Sequence, residues 1–541
     1  MFSIPATTNV YEYAKGRWLA AMFLLALTIG LWLTVAGVSA ANSQDAPVVQ
    51  TASGMVRGAH AEGISKFLGI PYAKPPVGDL RWANPTVPES WKGVREATEF
   101  GKVCAQVKEL GDFADASPNE DCLYLNVFAP DNARDRPVMF WIHGGATTGM
   151  SNSYDGSVLA KEQGVVVVTI NYRLGALGAL VHPALDGQGE TTFYGLRDEQ
   201  FAMQWVKDNI KGFGGDPGNV TIFGESTGAT DVLFHLISPL AGGLFQKAIL
   251  QSPARYFSPL TSLADAEKTG MSFAAAAGCA SQTAECLRKL PVEAILAAQG
   301  SFGTACCAAL PVNDGHVLTS NIKDAIRSGH FNRVPIFAVT DHDEDRWFQA
   351  FFGEISGQPI LKAADYSTQI ETIYGANAKA VEKAYPLKDF GSTAEALATA
   401  SSDHGAICQP RSFNIDASKF VTVYAGEFND PNSPGILPAV SFPLRASHTH
   451  EIQYIFPGWR GVHKGNVAPF TPEQARLASA MRKLWATFAS TGALPAGFSP
   501  TTRQDDPVIS MEPSGIKSIR NFAETHKCAF WDAVRQWQPL N

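Results

Sequence analysis

The sequence has no internal repeat, no low-complexity linker and no block of like charges. Without a linker or a repeat, the chain is expected to form one large domain, although 541 residues alone would suggest three or four. It also lacks a basic stripe with interleaved aromatic residues, and its formal net charge is −8. These features argue against nucleic-acid partners.

Apolar residues are abundant, at 45% of the chain, which is ample for a large core. Apolar runs predict strands at 164–170, 247–251 and 420–424, and helical patterns alternate with the strands. This alternation predicts an α/β fold with a large, mostly parallel central sheet and helices on both faces. A late helix is expected after Thr471, which carries a capping-box pattern with Gln474.

The pentapeptide Gly224-Glu225-Ser226-Thr227-Gly228 follows an apolar run and precedes a helical pattern from residue 229. A G-x-S-x-G sequence between a strand and a helix is typical of a nucleophile elbow, a strained turn that exposes the serine Oγ. Surface turns also use glycine and serine, so the pentapeptide alone fits a plain glycine turn as well. Its position after a strand favours the elbow.

A second apolar run, 138–142, ends in His143-Gly144-Gly145-Ala146. Acyl transfer places negative charge on a carbonyl oxygen, which preorganised backbone N–H groups stabilise. We expect the N–H groups of Gly144, Gly145 and Thr227 to form this oxyanion hole. The alternative is a flexible loop after a strand.

A serine nucleophile needs a neighbouring imidazole to accept its proton. Among twelve histidines, His448 lies far downstream of Ser226, where an α/β-hydrolase places its base, and His450 is its nearest rival. The two histidines also resemble a metal pair, but a metal site needs further ligands. We therefore expect no metal here.

The acid that orients the base is expected after the apolar run 333–339, in the stretch Asp341-His342-Asp343-Glu344-Asp345. Composition alone does not choose among these acids, because such a cluster is most often a solvated loop or a cation site.

Ordered motifs across nearly the whole chain resemble the type-B carboxylesterases, the carboxylesterase/cholinesterase family of α/β-hydrolases. They comprise 67–73, 75–82, 120–127, 171–175, 209–210, 213–217, the elbow, Asp343-Glu344 and His448-x-x-Glu451. The resemblance implies an α/β-hydrolase fold and a catalytic triad of Ser226, Glu344 and His448. It also implies supporting roles for Glu225 and Ser252.

The sequence departs from the family pattern beside these residues. Asp345 replaces a glycine after the acid, Thr227 replaces an alanine, Asp231 replaces a small or hydroxyl residue, and Pro253 replaces a glycine. No catalytic group is lost, so the departures indicate an unusual pocket.

The family resemblance also implies pairs for six of the eight cysteines. These pairs are Cys104 with Cys122, Cys279 with Cys286, and Cys408 with Cys528. Cys306 and Cys307 remain, either as free thiols or as a bridge between neighbours.

The N-terminus carries Lys15 and Arg17 before an apolar stretch that runs from Trp18 to Val38. This pattern predicts a signal peptide, residues 1–40, cleaved near Ala40, and a single mature domain over 41–541. The chain is then secreted or periplasmic. The apolar stretch is also long enough for an uncleaved membrane anchor.

The predicted function is hydrolysis of a small-molecule carboxylic ester through an acyl-serine intermediate, which requires no metal or organic cofactor. The alternatives are a thioester or amide hydrolase with the same triad, and a non-catalytic adhesion protein of the same fold. Choline esters are less favoured, because the 104–122 segment lacks the tryptophan that cholinesterases present to a quaternary ammonium.

Two arginines follow strands whose ends face the active site in this fold. Arg255 and Arg346 are candidate substrate-binding residues that would grip an anionic substrate. The alternative, which we favour, is that Arg346 pairs with Asp343 or Asp345 and Arg255 with Asp231.

Overall fold

The computed structural model describes residues 46–109, 113–186, 193–253, 256, 258–300, 311–435, 437–459 and 468–537. Residues 47–541 form one compact unit. The predicted signal segment lies outside the described residues. None of the described helices has the length and apolar character needed to cross a bilayer.

The core of the molecule is an eleven-stranded sheet with the order β16-β15-β14-β13-β10-β9-β7-β8-β6-β4-β3. The strands, including those of two small sheets, are β1 Val48–Thr51, β2 Gly54–Arg57, β3 Ala59–Ala61, β4 Ile64–Pro71, β5 Val94–Glu96, β6 Tyr124–Pro130, β7 Arg136–Ile142, β8 Val166–Ile170, β9 Gly215–Glu225, β10 Lys247–Gln251, β11 Thr261–Ser262, β12 Val312–Asn313, β13 Ile336–Asp341, β14 Val423–Phe428, β15 Val508–Glu512 and β16 Gly515–Ile519.

The seven central strands, from β8 to β15 in the sheet order, pair in parallel, and only the outer strands pair antiparallel. Central strands such as β8 and β10 are buried along their whole length, as expected for a sheet covered on both faces. The predicted α/β-hydrolase fold with a mostly parallel sheet is therefore confirmed.

Helices surround this sheet. They are α1 Ser157–Gln163, α2 Gly175–Ala179, α3 Pro183–Asp186, α4 Tyr194–Asn209, α5 Thr227–Ile237, α6 Leu263–Ala276, α7 Ala284–Arg288, α8 Val292–Gln299, α9 Ile322–Ser328, α10 Asp345–Phe352, α11 Tyr366–Tyr374, α12 Ala378–Ala384, α13 Thr393–Ser401, α14 Cys408–Ala417, α15 Ile452–Ile455, α16 Pro472–Thr491, α17 Phe522–Thr525 and α18 Cys528–Trp537.

Most element boundaries agree with the sequence. Strand β10 has the predicted bounds, and α16 begins after the predicted capping box of Thr471 and Gln474. The strand predicted at 420–424 begins only at Val423. The N–H groups of Phe420 and Val421 donate to the carbonyl of Ala417, so these residues still belong to the turn that ends α14.

Three disulfides join the cysteine pairs that the resemblance implied: Cys104–Cys122, Cys279–Cys286 and Cys408–Cys528. The last bridge joins α14 to α18 across a sequence separation of 120 residues. Cys306 and Cys307 lie outside the described residues.

Candidate active site

Ser226 occupies the turn between β9 and α5, with φ 56° and ψ −121°. This backbone conformation is unfavourable for a residue with a Cβ, and its presence indicates a local functional constraint. The Ser226 N–H donates to the carbonyl of Gln251 at 3.0 Å, which holds the turn against the end of β10. The predicted elbow is present, and the helix starts two residues earlier than expected.

Two glycines make the tight turn sterically feasible. A Cβ on Gly224 would lie 2.6 Å from the carbonyl carbon of Gly228, and a Cβ on Gly228 would lie 2.2 Å from the carbonyl oxygen of Ile142. Both distances are too short for real atoms. The small residues therefore allow α5 to lie directly against β9 and the end of β7.

His448 lies between Ser226 and Glu344. Its Nε2 is 2.9 Å from Ser226 Oγ, and its Nδ1 is 2.7 Å from Glu344 Oε2. The backbone N–H of His448 also donates to the Glu344 carbonyl at 3.2 Å. Ser226 and Glu344 are 222 and 104 residues away from His448 in the sequence, and the three side chains thus form one continuous series of hydrogen bonds.

Glu344 lies three residues beyond the end of β13 and immediately precedes α10. Its second carboxylate oxygen, Oε1, accepts the backbone N–H of Asp341 at 2.9 Å. The side chain is 1% exposed, so both oxygens are held in one orientation away from water. This arrangement fixes the direction in which the carboxylate meets the imidazole.

His450 does not compete for Ser226. Its Nδ1 is 2.7 Å from Ser433 Oγ and its Nε2 is 3.2 Å from Ser447 Oγ. Burial lowers the pKa of His450 to about 4, so the ring is neutral at physiological pH. His448 and His450 therefore have separate sets of partners, and these do not converge on a common metal position.

The three predicted oxyanion donors lie around the serine. Ser226 Cβ lies 3.0 Å from where a Cβ on Gly144 would stand, and Thr227 directly follows the serine. Gly145 has φ 105°, a conformation that favours glycine. No backbone acceptor within the described part of the chain takes the N–H of Gly144, Gly145 or Thr227.

Side chains hold the glycine loop in place. Gln106 Oε1 accepts from the Gly149 N–H at 2.8 Å and from Thr148 Oγ1 at 2.7 Å. Tyr172 Oη donates to the carbonyl of His143 at 2.5 Å. The backbone of this loop is therefore held in one arrangement, as the predicted oxyanion donors would require.

The two predicted supporting residues differ in their contacts. Glu225 Oε1 lies 3.2 Å from His448 Nε2, on the same side as Ser226. Ser252 is buried, but its Oγ forms no hydrogen bond with any described residue, so the expected support of the acid is not visible as a direct contact with Glu344. The Ser252 N–H instead donates to Val339 at 2.7 Å.

Buried carboxyl groups set the electrostatics of the site. Burial lowers the pKa of His448, but the nearby carboxylates of Glu225 and Glu344 outweigh it and raise this pKa to about 9. Burial raises the pKa of Glu225 well above its usual range. The carboxyls of Asp341 and Glu451 are also fully buried, and burial raises both of their pKa values.

Sequence reasoning placed Asp341 among the candidate acids and Glu451 in the motif of His448, but it did not predict that both would be buried beside the site. It missed an aromatic wall. Phe348 lies with its ring centroid 4.9 Å from the His448 ring, and Trp347 lies at 6.2 Å. Both project from α10, immediately after Glu344. The sequence signal that could have indicated this wall is the adjacent pair Trp347-Phe348, which follows Glu344 closely in the sequence.

Asp231 lines a small cavity beside Thr227, together with Glu199 and Tyr172. Burial and the neighbouring Asp231 raise the pKa of Glu199 well above its usual range. The unusual acidic residue noted in the sequence therefore lies next to the oxyanion donors.

The candidate substrate-binding arginines have different outcomes. Arg346 is 3% exposed, and its guanidinium pairs with Asp343 at 2.9 Å and Glu395 at 3.1 Å. Its Nη1 also donates to the carbonyl of Pro443. These contacts match the alternative in which the guanidinium forms ion pairs with local acids. Arg255 lies outside the described residues.

Comparison with known proteins agrees with this geometry. A sequence model of the carboxylesterase family matches residues 45–531. The chain is 34% identical to fumonisin B1 esterase of Sphingopyxis macrogoltabida, with 88% of this chain and 89% of that protein covered. It is also 34% identical to para-nitrobenzyl esterase of Bacillus subtilis (strain 168), with 82% and 90% covered.

Solved structures give the same result. A PNB esterase superposes with a TM-score of 0.74 at 30% identity, covering 90% of this chain and 99% of that one. A thermophilic PNB esterase gives the same values. The chain belongs to the carboxylesterase family and is a serine hydrolase that cleaves carboxylic esters.

Proposed function

We propose that Ser226 is the nucleophile of this esterase, His448 its general base and Glu344 the acid that orients the base. The observation that carries the proposal is the continuous chain of contacts from Ser226 Oγ through His448 to Glu344, at 2.9 and 2.7 Å. Both distances are within hydrogen-bond reach, which a nucleophile and its base require.

In the acylation step, His448 Nε2 accepts the Ser226 proton while Oγ attacks the ester carbonyl. The N–H groups of Gly144, Gly145 and Thr227 stabilise the negative charge that develops on the carbonyl oxygen. The imidazolium then returns the proton to the leaving alcohol. Glu344 holds the tautomer with its proton on Nδ1 and stabilises the cation.

In the deacylation step, His448 accepts a proton from water, which attacks the acyl-serine. The proton then returns to Ser226 Oγ as the acid product leaves. Each proton transferred in these two steps passes through one imidazole, so no metal or organic cofactor enters the mechanism.

A nitrophenyl acetate ester tests the proposal directly. Wild-type protein should release one equivalent of nitrophenolate in a rapid burst and leave an acetyl group on Ser226, detectable by peptide mass spectrometry. Ser226→Ala should show neither. An acetyl group on another residue would refute the assignment, and an absence of turnover would favour the non-catalytic alternative. Thioester and amide analogues run in parallel would show which acyl bond the triad prefers.

The acid limb of the pH profile is expected to depend on Glu225. The base must be neutral, so kcat/KM should rise with pH through the pKa of His448. Because the Glu225 carboxylate stabilises the imidazolium, Glu225→Gln should lower that pKa and move the acid limb to lower pH by about one unit. The measurement is kcat/KM against pH for both proteins.

A matched control is Glu199→Gln. Glu199 is equally buried, but its carboxylate contacts His235 at 2.7 Å instead of His448. The control should leave the acid limb where it is. A limb that stays in place or moves upward in Glu225→Gln would contradict the electrostatic role of Glu225.

The finer proposal of an anionic ester substrate depends on Arg255 alone, because Arg346 is engaged by two carboxylates. Removal of Arg346 leaves buried acids unpaired, which typically costs about 3–5 kcal/mol of stability. Arg346→Ala should therefore lower the unfolding free energy and leave the preference for a dicarboxylic monoester over its neutral analogue within about twofold.

The comparison of these two esters also tests Arg255. A selective loss of kcat/KM on the charged ester in Arg255→Ala would support an anionic substrate. Equal preference in wild type and Arg255→Ala would end that proposal.

We also propose that the chain is exported and that its signal segment is removed. Three disulfides support this proposal, because such bridges persist in oxidising compartments. The intact mass of the exported protein should correspond to a chain that begins near Ala41. A mass that includes residues 1–40 would favour the uncleaved anchor.

A further inference from the structure

A second group of side chains, all of residue types that can bind a metal ion, lies beside the segment 341–345 that contains Glu344. His342, Glu427 and His526 each place one candidate ligand atom within 4.8 Å of the others, and we call them the His342 cluster. His342 directly follows β13, Glu427 lies in β14, and His526 lies between α17 and α18. No short sequence motif unites them, so only the fold brings them together.

Both imidazoles are already oriented by carboxylates. His342 Nδ1 lies 3.2 Å from Asp343 Oδ2, and His526 Nδ1 lies 2.6 Å from Asp403 Oδ1. This leaves Nε2 of each ring as the ligand nitrogen. Metal-bound histidines usually donate their other ring N–H to a carboxylate, which fixes the ring and makes the ligand more basic.

We propose that the His342 cluster binds one divalent transition-metal ion of the Zn²⁺ type, through the two Nε2 atoms and the Glu427 carboxylate. Two histidines and one glutamate form a known ligand set for Zn²⁺ that leaves a fourth position open. The His342 side chain is 28% exposed, so the ion has access from solvent and the fourth position suits a water molecule.

The geometry requires only small movements. Zinc bonds of 2.0–2.2 Å in a tetrahedron place the ligand atoms about 3.4 Å apart. His526 Nε2 and Glu427 Oε1 are now 2.7 Å apart and hydrogen-bonded, so they separate by less than about 1 Å. The widest separation in the cluster, at most 4.8 Å, closes by about 1.4 Å.

Charge also favours a cation. Glu427, Asp403 and Asp343 are buried to 8% exposure or less, and buried charges are normally paired or coordinate a metal. Arg346 contacts Asp343 but is shared with Glu395. Glu427 and Asp403 both contact the single ring of His526, so a divalent ion would add positive charge that offsets this excess of carboxylates.

An ion triplet is the competing explanation. His526 then stays an imidazolium between Asp403 and Glu427, and these partners raise its pKa to about 9. That arrangement accounts for His526 but does not draw on His342, which contacts Asp343 and whose ring centroid lies 4.9 Å from that of His526. A shared metal ion would instead use both rings as neutral ligands.

The metal would connect two segments of the chain, one next to Glu344 and one next to the Cys408–Cys528 disulfide. His342 is two residues from Glu344, and His526 is two residues from Cys528, which forms the bridge to Cys408. The ion would hold the C-terminal segment around His526 against the segment 341–345 that contains Glu344. Its role is structural, and it is independent of the ester hydrolysis proposed above.

The experiment is zinc titration of untagged wild-type protein after chelator treatment and dialysis. Free thiols are first alkylated, because Cys306 or Cys307 would otherwise compete for zinc. Calorimetry and elemental analysis should find one Zn²⁺ per chain. His342→Gln, Glu427→Gln and the orienting variant Asp403→Asn should each weaken binding at least tenfold. His60→Gln is the matched control, since His60 contacts a carboxylate of Asp131 elsewhere on the surface.

Thermal unfolding gives a second readout that does not depend on activity. Zinc at a hundredfold excess over Kd should raise the Tm of wild type by about 2–3 °C and leave His342→Gln unchanged. His342 is partly exposed and does not contact Asp403, so this variant keeps the ion triplet of His526 and should fold. Absence of zinc binding at roughly 100 µM zinc, or undiminished binding in both His342→Gln and Glu427→Gln, would overturn the proposal.

Discussion

Alanine at Ser226 or His448 is expected to lower kcat by roughly 10⁴- to 10⁶-fold, and Glu344→Ala by somewhat less. Ser226→Ala removes the nucleophile and His448→Ala removes its base. Glu344→Ala leaves the imidazole in place but frees its tautomer and leaves its cation without a partner. The measurement is kcat on a nitrophenyl ester for each purified variant.

The three losses should not add. Once Ser226 or His448 is missing, the proton transfer that the other triad members assist cannot occur, so a double variant should be about as slow as the slower single variant. The residual rate should still exceed the uncatalysed rate, because the oxyanion donors remain. Additive losses on a logarithmic scale would mean that these residues act independently.

His450→Ala is the matched control for the base. It lies two residues from His448 and is equally enclosed, but its nitrogens contact Ser433 and Ser447. Its loss should cost far less than that of His448. Circular dichroism should show that each variant keeps the native fold. If His450→Ala abolished turnover and His448→Ala spared it, the choice of base would be wrong.

The sequence could predict the elements of this site whose chemistry is local. The pentapeptide around Ser226 predicted an elbow, and the elbow is present in the fold. The glycines after β7 lie beside Ser226, and their role as oxyanion donors stays a prediction. The acid of the triad could not be chosen from local chemistry. Composition did not separate Glu344 from its acidic neighbours, and only the resemblance to a family made the choice.

The features that could not be predicted depend on contacts between distant segments. Asp341 and Glu451 stand in the sequence motifs, but the electrostatic interaction of Asp341 with Glu451 and Glu344 arises only in the folded chain. The His342 cluster likewise draws on β13, β14 and the C-terminal segment. Side chains of this kind carry no spacing signal, since their proximity is a product of strand order.

Ser252 shows the limit of transfer from relatives. Its position after β10 matches the family pattern, but its buried Oγ makes no contact with Glu344 in the described structure. A residue type can thus occupy the position that matches the family pattern without making the expected direct hydrogen bond. The geometry of each contact has to be observed in the chain itself.

Gly228→Ala is expected to have a large effect for the addition of a single methyl group near the site. The new Cβ would stand 2.2 Å from the carbonyl oxygen of Ile142 and 2.8 Å from that of His143. Both are backbone atoms at the end of β7, so a side-chain rotation cannot relieve the clash. Helix α5 must move away from the strand that leads into Gly144.

This movement affects stability and catalysis together. Overpacking of a rigid core typically costs about 1–3 kcal/mol, and a backbone clash lies at the upper end. Displacement of the Gly144 loop should also weaken the oxyanion donors, each of which is worth about 10²- to 10³-fold in kcat. Urea unfolding and kcat on a nitrophenyl ester measure the two effects.

Gly405→Ala is the matched control, because a Cβ at Gly405 would meet no atom within 4 Å and its φ is not left-handed. Replacement of glycine in a helical segment should leave stability unchanged or raise it by about 0.5–1 kcal/mol. Activity should be normal. If Gly228→Ala matched this control in both stability and kcat, the close approach of α5 to β7 would not be what positions the oxyanion donors beside Ser226.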